Sequence, residues 1–222
     1  MNDPITRRRL LAGGLFLLAS LALPLTAAPA AAQAPGFDDA VRLFQQAQAG
    51  ADAGRARDAF AALAKTDPSQ PLYAAYEGAA GAMMGGQAWM PWNKLRHTEA
   101  GLERIDQALA LLKPEHDRQA VGGTPSAFAT RVVAANTFLA VPDALFHRRA
   151  AGRKLLAQLQ ATPGLATAPA PARAAVLLVA ARAARAEDRA ADEQHALTDA
   201  LALVPEGFDA GQARKRLKEI AK

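Results

Sequence analysis

The sequence predicts an all-α protein built as an array of helix hairpins, and three observations lead to that reading. Alanine dominates the apolar residues while aromatics make up only 5% of the chain, which suits closely packed helices better than a sheet of Val, Ile and Tyr. Few runs alternate apolar and polar residues, so essentially no strand is expected. Apolar residues recur instead at helical spacing, in segments ending at Pro68, Pro114, Pro163 and Pro205, which stand 46, 49 and 42 residues apart. A chain of 222 residues is long enough for one domain or a short array of repeats.

Residues 1–32 have the three parts of a secretory signal: charged Arg7 to Arg9, an apolar stretch from Leu10 to Leu25, and small residues from Ala27 to Ala32. Ala30-Ala31-Ala32 offers a cleavage site before Gln33. The order Thr6-Arg7-Arg8-Arg9-Leu10-Leu11 resembles the twin-arginine export signal, with Arg7 and Arg8 as its recognition pair. That resemblance implies export to the periplasm, with contact to a membrane only in transit. General secretion and an uncleaved anchor are the alternatives. Residues 33–36 are a short linker, and residues 37–222 form the helical domain.

Within that domain Phe37-Asp38 begins a first helix, with Asp38 as its cap and Ala40, Phe44 and Ala47 on one face. Gly50 to Gly54 makes a turn, and Ala56, Phe60, Leu63 and Ala64 stripe a second helix ending at Asp67-Pro68. Here the chain is similar to a tetratricopeptide repeat. Ala56, Phe60, Ala64 and Pro68 fill that family's places for a small residue, an aromatic, an alanine and a terminating proline. Leu43 and Ala47 fill places in the first helix of the unit. The resemblance implies a right-handed solenoid and an interaction scaffold, and it adds no catalytic residue.

A second unit spans Pro71 to Pro114, with Gly78 in the small position of its first helix and Gly101, Ile105 and Ala108 in the second. Phe60 and Ile105 are expected to be buried groove-fillers. A long loop, Gly85 to Lys94, separates its helices. The third unit runs from a Thr124-Pro125 cap to Pro163, turning at Val141-Pro142-Asp143, with Phe146, Leu155, Leu156 and Leu159 along its second helix. An Ala/Pro linker, Leu165 to Pro171, leads to a fourth unit turning at Glu187-Asp188. A helix capped by Asp209, with Ala213, Leu217 and Ile220 on one face, closes the array. About four pairs plus a C-terminal capping helix result.

The formal net charge is +5, and three arginines against one aspartate in residues 1–32 leave +3 for the rest, with acids and bases interspersed. That is too dispersed for a nucleic-acid partner. The chain has no cysteine, so disulfides, thiol catalysis and thiolate metal sites are excluded. No two of His97, His116, His147 and His195 are three or four residues apart, and His116 lies in what reads as a solvated acidic turn. Neither a nucleophile motif nor a phosphate loop is present. No catalytic, cofactor or metal residues are assigned, and a non-catalytic role is expected.

The sharpest feature is the loop carrying Trp89, Met90, Trp92, Asn93 and Lys94, which holds both tryptophans of the chain. Tryptophan is enriched at binding hot spots because it buries much area and still donates a hydrogen bond. Either the rings fold back over the small residues of the preceding helix, or at least one is exposed for a protein or peptide partner. The expected function is a periplasmic scaffold binding such a partner. The alternatives are a fixed subunit of an envelope transport or assembly complex, or a small-molecule carrier using the tryptophan loop.

Overall fold

Ten α-helices occupy most of residues 36–221, the part of the chain that the computed structural model describes. The expected export signal, with Arg7, Arg8 and the Ala30 to Ala32 site, lies outside the described residues, as do residues 33–35 of the linker. The helices are α1 (Phe37–Gln48), α2 (Ala53–Thr66), α3 (Pro71–Gln87), α4 (Pro91–Ala110), α5 (Ser126–Ala140), α6 (Asp143–Phe146), α7 (Arg149–Gln160), α8 (Ala170–Ala186), α9 (Ala190–Leu203) and α10 (Phe208–Ile220). The described residues are thus all-α in character. Among them, no helix is long and apolar enough to cross a membrane.

Helices adjacent in sequence pack on each other from α1 to α5, and again from α7 to α10, with α5 packing on α7. A second set of contacts joins α1 to α3, α3 to α5 and α5 to α8. The main core runs through these helices. Its N-terminal part is aromatic: Tyr76 stacks on Phe60 with ring centroids 4.6 Å apart and meets Phe44 edge-on at 5.0 Å. Phe37 closes the nest against Tyr73 and Tyr76. Phe60 and Ile105 are both fully buried, as the spacing predicts.

The tightest helix pair is α3 with α4, and glycine makes it possible. A Cβ on Gly78 would lie 2.5 Å from the carbonyl oxygen of Gly101 and 2.8 Å from Ile105 Cγ1. A Cβ on Gly101 would strike the backbone nitrogen of Ala82. The small positions read from the sequence are therefore the points where two backbones touch.

Several local expectations are corrected. Gly36 and Gly207, both at positive φ, hold the N-cap positions of α1 and α10, and Asp38 and Asp209 sit in the first turns, where a carboxylate favours the helix dipole. Ala120–Val121 and Thr124–Pro125 form a two-residue antiparallel hairpin around Gly122 and Gly123, both at positive φ as such a turn needs. Thr124 therefore pairs with Val121 instead of capping α5, which starts at Ser126. The second helix of the third unit is broken: α6 ends at His147, in the left-handed conformation, and α7 restarts at Arg149. The linker before α8 is shorter than expected, because Pro171 lies inside the first turn of that helix. His116 is buried rather than solvated, and its Nδ1 accepts the backbone N–H of Lys113 at 3.0 Å.

Candidate functional site

The expected ten-residue loop is a three-residue connection. Gly85, Gly86 and Gln87 continue α3, and Pro91 is the first residue of α4, leaving only Ala88, Trp89 and Met90 between the helices. Two causes explain the difference. Gly85 sits against Thr98 and the Lys94 carbonyl, so its missing side chain lets α3 run on beside α4. Pro91 is suited to the first helical turn, where its absent N–H costs nothing.

Gln87 fixes the base of this hairpin tip. Its Nε2 donates to the Ala51 carbonyl at 2.7 Å, and its Oε1 accepts the Ala53 N–H at 3.0 Å, tying the end of α3 to the start of α2. Met90 supplies the carbonyl that accepts the N–H groups of Asn93 and Lys94, both at 3.0 Å. The tip is therefore held on both sides, by the glycine contact to α4 and by the amide bridge to the neighbouring turn.

On this anchored base the large side chains point outward. Trp89 is 88% exposed, Trp92 65%, Leu95 41% and Met90 39%. The rings do not fold back over α3. Leu95 was not anticipated; it stands three residues after Trp92 on α4 and so joins the same face. Asn93 has a local role, its Oδ1 accepting from Arg96 Nη2 at 3.1 Å, while Lys94 is exposed. The chain from Gly78 to Thr98 contains no acid, and Lys94 and Arg96 flank the apolar side chains. Chemically the tip offers a rigid apolar anchor with two indole N–H donors and a basic margin.

Elsewhere several charged groups tie helices together. Arg104 pairs with Glu77 at 2.8 Å across α3 and α4, and Arg148 with Asp106 at 2.7 Å, its guanidinium also over the Phe138 ring. Burial pushes the Tyr76 hydroxyl up to about 12, with the charge of Asp209 adding to it. Among the described residues, no group of three or more His, Asp or Glu side chains is arranged to hold a metal ion. Comparison of the chain with protein-family models, curated proteins and solved structures gives no match.

Proposed function

We propose that this chain is an exported, non-catalytic scaffold that captures a protein partner through the α3–α4 tip. The observation that carries the reading is the exposure of Trp89 and Trp92 on a tip whose base is fixed by Gln87 and Gly85. An exposed aromatic anchor that is already ordered loses little conformational freedom on binding. A monomer gains nothing from leaving two indoles in water, whereas an interface gains most from residues of this kind.

The finer architecture belongs to the same proposal. In a right-handed, tetratricopeptide-like array, each first helix touches its own partner, the following unit and the next first helix. The contacts of α1, α3, α5 and α8 with one another, alternating with α2, α4, α7 and α9, fit that scheme. Placement in the periplasm rests on the twin-arginine-like segment around Arg7 and Arg8.

The test is site-specific photo-crosslinking in intact cells, with the crosslinking residue placed at position 89 and, for comparison, at exposed Lys218 on α10. A discrete adduct from position 89 alone is expected. Trp89→Ala with Trp92→Ala should weaken capture of the identified partner by at least about tenfold, the scale of a hot spot, while changing stability by only about 0.5 kcal/mol or less. A double variant that binds normally, or one that melts far below wild type, would make the tip a structural element and overturn the proposal.

A further inference from the structure

An open cleft of about 360 Å³ lies where the C-terminal ends of α5 and α8 meet the start of α7. Its charged lining is Arg149, Arg182, Arg185 and Asp143. Three guanidiniums thus face one carboxylate, and that carboxylate is already engaged. Asp143 Oδ1 accepts the backbone N–H of Arg149 at 2.8 Å, and Oδ2 stands 4.0 Å from Arg149 Nε, at the outer limit of an ion pair.

Two neighbouring acids, Glu187 and Glu193, have arginine partners outside the cleft. Glu187 is held by Arg189 at 2.9 Å and Arg153 at 3.2 Å. Glu193 is gripped by Arg216 at 2.7 and 2.9 Å. Arg182 donates to a neutral acceptor, Asn136 Oδ1, at 3.2 Å. Neither Arg182 nor Arg185 pairs with a carboxylate among the described residues. The two stand one turn apart on α8, where like charges repel. Both side chains are exposed; desolvation around Arg182 lowers its pKa, Arg185 repulsion lowers it further, and the charge of Glu193 partly opposes them.

The carbonyl ends of α5 and α8 favour nearby cations, but each carries only about half an elementary charge. They account for one arginine in the last turn of α8. Asp143 offsets a second, which leaves about one of the three arginines lining the cleft without a counter-charge. We propose that this cleft is a binding site for a small phosphate-bearing anion, held by Arg182 and Arg185 from α8 and by Arg149 from α7. Guanidiniums reaching in from different helices suit the several oxygens of a phosphate, each able to accept from a planar fork. The cleft is larger than the ion alone, so it also has room for an organic body bearing the phosphate. This site is independent of the tryptophan tip, which lies on other helices.

The experiment is calorimetric titration of the full chain at low salt with inorganic phosphate, pyrophosphate and glycerol phosphate. Saturable binding of at least one is expected. Arg182→Gln with Arg185→Gln should weaken it by at least about tenfold, the scale of one lost charge-assisted hydrogen bond. Lys215→Gln with Lys218→Gln, on exposed α10, should leave it unchanged. Thermal melting followed by circular dichroism checks that the variants fold, and Arg185→Gln alone replaces the double variant should that one unfold. Tighter binding of glycerol phosphate identifies an organic phosphate, and tighter binding of the inorganic ions a free one; both support the site. Absence of saturable binding by all three probes overturns the proposal. So does wild-type affinity in the Arg182 and Arg185 variant, or an equal loss in the Lys215 and Lys218 control.

Discussion

Tyr76 lies between Phe44 and Phe60, in face-to-face contact with one and edge-on to the other, and its hydroxyl is held protonated well beyond its ordinary range. The consequence for stability has a definite sign. In the unfolded chain the phenol loses its proton near pH 10, whereas in the folded protein it keeps it up to about 12. Between those values the unfolded chain binds fewer protons, so stability falls as pH rises. The contribution is complete below pH 10 and corresponds to roughly 2–3 kcal/mol lost across the window. Urea unfolding from about pH 9 to about pH 11.5 should show this decline in wild type. Tyr76→Phe should decline less over the same interval, because other groups then act alone. Parallel curves for the two proteins would mean that the hydroxyl is not shielded.

At the scale of helices, α3 and α4 are held by shape rather than by large side chains. Gly101 faces the Ala82 nitrogen and the Gly78 carbonyl, both backbone atoms that no rotamer change can move aside. Gly101→Ala should therefore force the helices apart and cost about 1–3 kcal/mol, perturbing the hairpin tip as well. Gly86, on the same α3, has nothing within 4 Å of an added Cβ. Gly86→Ala should be neutral or stabilise by up to about 1 kcal/mol through reduced backbone freedom in the unfolded chain. Melting temperatures of the two variants, measured side by side, separate close approach from helix propensity. Equal effects would refute the interlocked crossing. The same device recurs where Gly152 of α7 sits on Leu139 of α5, a Cβ there falling 2.7 Å from Leu139 Cγ. Both glycines occupy the second helix of a pair, a place where small residues let helices approach.

For the molecule as a whole, the proposed periplasmic scaffold depends on the N-terminal segment as much as on the helices. Replacing Arg7 and Arg8 by Lys keeps the charge and removes the paired guanidiniums. Cell fractionation should then find the double-lysine protein retained inside, while the helical domain still folds. Undiminished export would leave general secretion as the route. The two proposed sites also divide the molecule by chemistry. The α3–α4 tip is apolar with a basic margin, and the cleft beside α5, α7 and α8 is polar and cationic.

The sequence by itself determined the helical class, the segment ends near Pro68, Pro114, Pro163 and Pro205, and the burial of Phe60 and Ile105. Those properties follow from local spacing, from a residue that cannot continue a helix and from side chains too large to leave in water. It also singled out Trp89 and Trp92 as candidate partner-binding residues. Only the tertiary structure decided that their loop is three residues long and that the rings face solvent. Gly85 is a turn signal on its own and becomes a helix residue only once Thr98 and Lys94 of α4 lie against it. His116 is likewise polar by sequence and buried by context, because the Lys113 amide satisfies its ring nitrogen. The arginine cleft was wholly illegible in the chain order. Arg149 and Arg182 are far apart in sequence, and they line one cleft only because the ends of α5 and α8 and the start of α7 are brought together. Charge balance at a point is set by which side chains meet, and that is fixed by packing rather than by neighbours along the chain.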